Sequence, residues 1–184
     1  MLKKISSFFN SSRCDDILDH EAISKLQNLE VKQEDYEVTR RVQSIYKIKE
    51  YFSEEDNRKQ FIPDGEPFRG EFDYYFDIKK DGVFYGFYRI SLLPKNKLEI
   101  HCGFTRFNSL LARRYLQVTE LVLSELQELF PKHAIISECL IRHEKANNYL
   151  SYFCFELTDF ENEINSYTLN RTDFRRTFTW KIKN

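Results

Sequence analysis

Apolar and polar positions along the chain fall into segments of contrasting period. Residues 1 to 35 are polar and carry a short helical spacing through Ile17, Ile23, Leu26 and Leu29, which predicts an N-terminal helical arm packed against the main domain. A strand is predicted over residues 36 to 42, helical spacing through Ile45, Ile48 and Phe52, and a charged loop ending at the turn residues Pro63, Asp64 and Gly65. The middle alternates strictly: Phe72, Tyr74, Phe76 and Ile78 mark one strand, and Lys80-Asp81-Gly82 has hairpin-turn chemistry. Residues 83 to 93 form the second strand, 94 to 97 a second turn, and 98 to 104 the third, giving an antiparallel meander.

From residue 109 to 130 the apolar positions Leu111, Tyr115, Val118, Val122, Leu126 and Leu129 recur every three or four residues, widened by Leu116, Leu123 and Phe130. Asn108 or Ser109 suits the N-cap and Pro131 ends the helix. A buried strand is predicted at 134 to 141, then a helix of about ten residues around Ala146 and Tyr149, and strands at 153 to 157 and 164 to 169. The alternating tail, 177 to 182, reads as an edge strand. This order of elements predicts an α+β fold: a mixed, mostly antiparallel central sheet with helices on both faces.

Composition narrows the classes. The 184 residues are 41% hydrophobic, 16% aromatic and 31% charged, which excludes disordered, collagenous and membrane-embedded chains. There are 28 basic and 29 acidic side chains, so no domain-wide basic field points to nucleic acid, and none is expected as a partner. Arg171, Arg175, Arg176, Lys181 and Lys183 cluster locally; a solvated strand face accounts for them, and an anion-binding surface is the sharper alternative. Phe72 to Phe76 and Phe84 to Tyr88 are read as sheet core rather than as base-stacking platforms.

Cys14, Cys102, Cys139 and Cys154 lack metal-pair spacing, and so do the four histidines, so no metal is expected. The apolar runs around the last three cysteines suit reduced, buried thiols. With no stretch of signal-peptide or spanning length, a cytoplasmic protein that does not engage a membrane is expected.

The element order over residues 36 to 174 resembles the GNAT superfamily of acyl-CoA N-acyltransferases, and the run from Arg142 to Phe155 carries its best local support. In the family's pattern an Asn opens the second-last helix, an Ala follows three residues later, and a Gly-Phe pair starts the next strand. Here Ala146 and Phe155 fit, His143 stands at the Asn position and Cys154 at the Gly position. The family's frequent general-acid tyrosine falls in register on Leu150, one residue after Tyr149. At the start of the long helix, the family's Gln/Arg-x-x-Gly-x-Gly/Ala turn offers bare backbone N–H groups to the pyrophosphate of acyl-CoA. This chain has Arg106-Phe107-Asn108-Ser109-Leu110-Leu111: Arg106 matches the first position, Ser109 stands for the first glycine and can still present its N–H, and Leu111 replaces the second small residue.

The resemblance implies a helical arm over 1–35 and a single GNAT-like domain over 36–184. It implies an N-acetyltransferase moving an acetyl group from acetyl-CoA to an amine of a small molecule or protein, the acceptor being unknown. Phe104, Thr105, Arg106, Ser109, Leu110, Leu111 and Arg113 would hold acetyl-CoA, and Arg114 stands beside them. Alternation puts Glu99, His101 and Gly103 on one strand face, opposite Leu98, Ile100 and Cys102. Glu99 or His101 would be the base that takes the ammonium proton. Glu138, inside an apolar run, is either a partnered structural carboxylate or a further base, and Tyr149, or else Tyr152, would protonate the leaving thiolate. The alternative is a catalytically inactive GNAT-like protein serving as a protein-interaction or phage/virion accessory module. A homodimer or a protein partner is left open.

Overall fold

The computed structural model describes residues 20–33, 36–40, 73–104 and 109–182. It contains helix α1 (His20–Gln27), strands β1 (Glu30–Gln33), β2 (Tyr36–Arg40), β3 (Asp73–Lys80), β4 (Val83–Leu93) and β5 (Lys97–Phe104), and then the long helix α2 (Ser109–Leu129). Strand β6 (Ala134–Leu140), helix α3 (Glu144–Tyr152), strands β7 (Phe155–Glu161) and β8 (Ile164–Leu169), and helix α4 (Arg171–Ile182) complete it. The expected helix through Ile45, Ile48 and Phe52 and the turn at Pro63 to Gly65 lie outside the described residues.

Among the described residues, the eight strands join one mixed sheet in the order β1-β2-β3-β4-β5-β6-β8-β7. Every neighbouring pair is antiparallel except β5 and β6, which run parallel because α2 carries the chain back along the sheet. The meander follows its turn chemistry. Asp81 and Gly82 adopt φ of 49° and 74°, the pair of positive angles that a two-residue turn between twisted strands requires. Asn162 and Glu163, with φ of 51° and 64°, make the same kind of turn between β7 and β8.

The apolar stripe of α2 supplies Val118, Val122, Leu123 and Leu126, joined by Phe130 directly after the helix, to a core that also contains Tyr88, Ile90, Leu98, Ile100 and Ile135 from the sheet. Leu26 and Leu29 join the same core, and Lys25 Nζ donates to Leu129 O at 3.4 Å, so α1 is fastened to the far end of α2. The segment before Tyr36 also contributes β1, whose pairing with β2 extends the sheet by a strand absent from the sequence expectation.

One expected element is corrected. The tail is the helix α4 and not an edge strand. Its start is set by Asn170, whose Oδ1 accepts from the backbone N–H groups of Thr172 and Asp173, each at 3.1 Å, and this outweighs the two-residue alternation further on. Arg171, Arg175, Arg176 and Lys181 of the basic cluster therefore sit on a helix, and Lys183 lies outside the described residues. Arg175 and Arg176 are exposed, while Arg171 turns inward and donates to the carbonyls of Gln127, Phe130 and His133 at the end of α2. The Gln127 carbonyl lies in the last turn of α2, and Phe130 and His133 follow directly after it, so the guanidinium also complements the negative end of the helix dipole. Strand β7 begins two residues later than expected, because Cys154 takes a φ of 63° and redirects the chain after α3.

Candidate functional site

Strands β5 and β6 pair only over Lys97↔Ala134, Leu98↔Ile135 and Glu99↔Ile136. Beyond that point β5 stays with β4 as far as Phe104, β6 stays with β8 as far as Leu140, and the two strands diverge. Ser137 marks the parting: its Oγ donates to Ile100 O at 2.8 Å, a side chain standing where the ladder would have continued. The wedge opens into a cavity of about 570 Å³. Its walls are His101 to Phe104 on β5, Ser137 to Cys139 on β6, and the loop and first turns of α3 from Arg142 to Leu150, excluding Asn147 and Asn148.

On one face of β5, Arg89, Glu99 and His101 come together because Arg89 is the register partner of His101 and Glu99 lies two residues before it. Arg89 Nη2 stands 3.3 Å from Glu99 Oε2, and both side chains are buried. His101 Nε2 lies 3.2 Å from Glu99 Oε1, off the line that a straight hydrogen bond needs. Burial pushes the His101 pKa down, with the Glu99 carboxylate opposing, so the imidazole is neutral near neutral pH. His101 and Glu138 border the cavity, whereas Glu99 is 1% exposed and is not part of its wall. The two strand candidates are thus separated: His101 faces the cavity and Glu99 stands behind it.

On the helix side of the sheet, Thr119 Oγ1 is hydrogen-bonded to the hydroxyls of both Tyr88 and Tyr149. Tyr149 also forms part of the cavity wall, where its ring meets Phe104 edge-on with centroids 6.1 Å apart, and Phe104 stacks on Tyr115 at 4.2 Å. Burial raises the pKa of Tyr149 well above the ordinary phenol value, so it stays protonated and acts as a donor. The thiols of Cys102 and Cys139, on facing strands of the wedge, are pushed up to about 12 and about 11 by burial, which makes them inert neutral wall groups rather than nucleophiles. Tyr152, the other phenol considered, is exposed at 43% and is not among the wall residues.

The mouth of the wedge is fixed by Asn147. Its Nδ2 donates to Leu140 O at 3.0 Å, Ile141 O at 3.2 Å and His143 O at 2.8 Å, while its Oδ1 accepts from Asn165 Nδ2 at 2.9 Å and Tyr167 OH at 2.6 Å. One amide thereby holds the end of β6, the start of α3 and strand β8 together. Of the expected acyl-CoA ligands, Phe104 is at the cavity, Ser109, Leu110 and Leu111 form the opening turn of α2, and Arg113 is exposed. Thr105 and Arg106 lie outside the described residues. Among the described residues no group of three His, Cys, Asp or Glu side chains is arranged to hold a metal ion, and no helix is long and apolar enough to cross a membrane.

Arg89, Thr119 and Asn147 are absent from the sequence-based site. Arg89 becomes visible once the β4–β5 hairpin register is written out, since it then faces His101. Thr119 carried a weaker signal: a polar residue directly after Val118 on the apolar side of the long helix.

No protein-family model matches the chain, and no curated protein matches it in sequence. Solved structures do match. A GNAT-family acetyltransferase from Bacillus anthracis superposes with a TM-score of 0.57 at 17% identity, over 77% of this chain and 98% of that one. An aminoglycoside N(6')acetyltransferase from Legionella pneumophila gives 0.56 at 10% identity, over 80% and 98%. The Campylobacter jejuni N-acetyltransferase PseH in complex with acetyl coenzyme A gives 0.50 at 11% identity, over 73% and 99%. At these identities the likeness is one of architecture, and the eight-stranded mixed sheet with the four helices of the described residues has the GNAT acyl-CoA N-acyltransferase fold.

Proposed function

We propose that this protein is an N-acetyltransferase that moves the acetyl group of acetyl-CoA to an amine of a small molecule or protein. The observation that carries this reading is the parting of β5 and β6 after Glu99↔Ile136, which opens a cavity with His101, Glu138 and Tyr149 in its wall. The wedge suits an extended thioester arm. His101, Cys102 and Gly103 have no β6 partner among the described residues, so the strand edge can bond an amide-bearing chain laid beside it. One of the fold relatives has acetyl coenzyme A bound.

Acetyl-CoA supplies the activated acyl carbon. The chain's own residues do the rest. Neutral His101 accepts a proton from the substrate ammonium, with Glu138 as the second acceptor in the wall. Glu99, gripped by Arg89, fixes the imidazole from behind and stabilises the imidazolium that forms. Tyr149 donates a hydrogen bond toward the sulfur as negative charge develops there. Backbone N–H groups at Ser109 to Leu111 and the charges of Arg106 and Arg113 would serve the pyrophosphate; side-chain charge takes over part of the role of the glycines.

Titration calorimetry with acetyl-CoA tests this directly. Saturable binding, followed by thiol release on adding amines from a panel, is the expected result, and no heat at millimolar ligand would end the catalytic reading. Leu157 and Phe160 favour a second role: they are 57% and 66% exposed on the edge strand β7, as a protein-interaction module or homodimer would use them. Sedimentation of the purified chain reads the homodimer, and pull-downs before and after Leu157→Ser read a partner.

A further inference from the structure

Strand β7 ends the sheet, with β8 on one side and no further strand on the other among the described residues. Its seven residues divide by face. Leu157 and Phe160 lie opposite Tyr167 and Asn165, the two residues of β8 that bond Asn147, so both stand on the face that carries α3. Glu156, Asp159 and Glu161 lie opposite Thr168, Ser166 and Ile164, on the other face. In a regular strand Leu157 and Phe160, three residues apart, would point to opposite sides; the bulge between Leu157 and Asp159 inserts Thr158 and brings them to one side. The open edge also has backbone groups to offer. Cys154 O accepts from Asn170 N at 2.8 Å, and alternate residues of an antiparallel ladder turn away from their partner, so Phe155 and Leu157 aim their N–H and C=O outward. The Phe160 N–H donates to Asp159 Oδ1 at 2.8 Å. Charge decides what such an edge accepts. Strands β6, β7 and β8 contain no Lys or Arg, and none of the three β7 carboxylates meets a cation among the described residues. Two copies of β7 paired about a two-fold axis would set acidic face beside acidic face, and like charges on facing strands repel.

We infer that the β7 edge docks an extended basic segment of another protein, with lysines or arginines against Glu156, Asp159 and Glu161 and apolar residues over Leu157 and Phe160. This rests on the interaction role proposed above for the two exposed apolar side chains, gives it a partner, and is independent of acetyl transfer. A strand that alternates basic and apolar positions matches both faces of β7 at once and bonds the outward groups of Phe155 and Leu157. A cation placed beside Asp159 also draws that carboxylate off the Phe160 N–H, which frees a third donor. Without such a segment, the bulge and the Asp159 bond blunt the edge against indiscriminate pairing.

The test uses the full chain and a fluorescent peptide that alternates lysine with valine over seven residues, the length of β7, read by anisotropy and by amide exchange. Saturable binding is expected, with exchange slowed at Phe155, Leu157 and Phe160. A peptide with the same residues sorted into two blocks, and one N-methylated along the edge that would face β7, should each bind at least about tenfold more weakly, and a glutamate–valine peptide should not bind. Phe160→Ser, and Asp159→Asn combined with Glu161→Gln, should each weaken binding roughly three- to tenfold, because cross-strand pairs on both faces contribute. All three positions are exposed, and melting curves check that the variants fold. Equal binding of the block or N-methylated peptide overturns strand addition, and unchanged affinity in the Asp159→Asn, Glu161→Gln variant overturns the basic partner. No binding of the alternating peptide at millimolar concentration overturns the proposal, and a dimer in sedimentation that Phe160→Ser abolishes assigns the edge to a second copy and overturns it as well. A partner lost from pull-downs by Leu157→Ser, beside a failed peptide, leaves the interaction role standing without this chemistry.

Discussion

Ser137 Oγ donates to the carbonyl oxygen of Ile100 across 2.8 Å at the step where β5 and β6 stop pairing. This bond ends the seam at the step where the wedge opens. Ser137→Ala is expected to cost about 1–3 kcal/mol in denaturant unfolding, because both atoms are buried. It should also weaken acetyl-CoA binding measured by calorimetry. Unchanged affinity beside lowered stability would show that the wedge angle does not depend on this bond.

Gly86 has no room for a side chain. A Cβ there would lie 2.3 Å from the carbonyl oxygen of Gly103 and 3.1 Å from the Cα of Phe104, both backbone atoms of the cavity-lining end of β5. Gly86→Ala must push that strand end outward, and a loss of roughly 1–3 kcal/mol is expected, the size of an overpacked core site. Thermal melting reads the loss. Gly82→Ala, where the surroundings are open but φ is 74°, should cost less and leave the cavity unchanged.

The pH dependence stems from two histidines. Burial lowers the pKa of His101, and also that of the more exposed His143 beside Arg142. The unfolded chain therefore binds protons that the folded chain refuses, so stability is full above the unfolded value of about 6.5 and falls as pH drops below it. Chemical denaturation between neutral pH and about 5 should show that slope. His101→Gln should remove the larger part of it and His143→Gln the smaller. A slope untouched by His101→Gln would mean that the imidazole is not held in its neutral form.

Arg171 and Asn147 make contrasting predictions about what fastens the later part of the chain. Arg171→Ala removes one donor from each of the carbonyls of Gln127 and Phe130 around the end of α2 and should cost about 1–3 kcal/mol, with Arg171→Lys recovering part of it. Asn147→Asp should be worse than Asn147→Ala, since a carboxylate would face the carbonyl oxygens of Leu140, Ile141 and His143. Melting curves of the two Asn147 variants decide the order.

The meander was legible because its turn residues and its alternation agree, and the long helix because its stripe runs for six turns. The tail was not, because Asn170 acts over two residues whereas the misleading alternation spans six. Strand β1 is four residues long and has a side-chain pattern too short to show a period. For the site, alternation correctly put Glu99 and His101 on one face. It could not tell that Glu99 is shut behind its neighbour, because the residue responsible, Arg89, arrives from another strand. Thr119 was hidden for a similar reason: its meaning lies in two tyrosines, 31 and 30 residues away in either direction.

Among the described residues, the ladder that joins a five-stranded leaf to a three-stranded leaf is the parallel seam of Lys97–Glu99 with Ala134–Ile136, closed by the Ser137 Oγ bond to Ile100 O. Such a joint is a natural line of local opening, since neighbouring rungs cannot share the load. Were the proposed extended ligand laid in the wedge, it would add rungs that the two strands do not offer each other, and hydrogen exchange is expected to slow in the β6-β8-β7 leaf relative to the meander when acetyl-CoA is added.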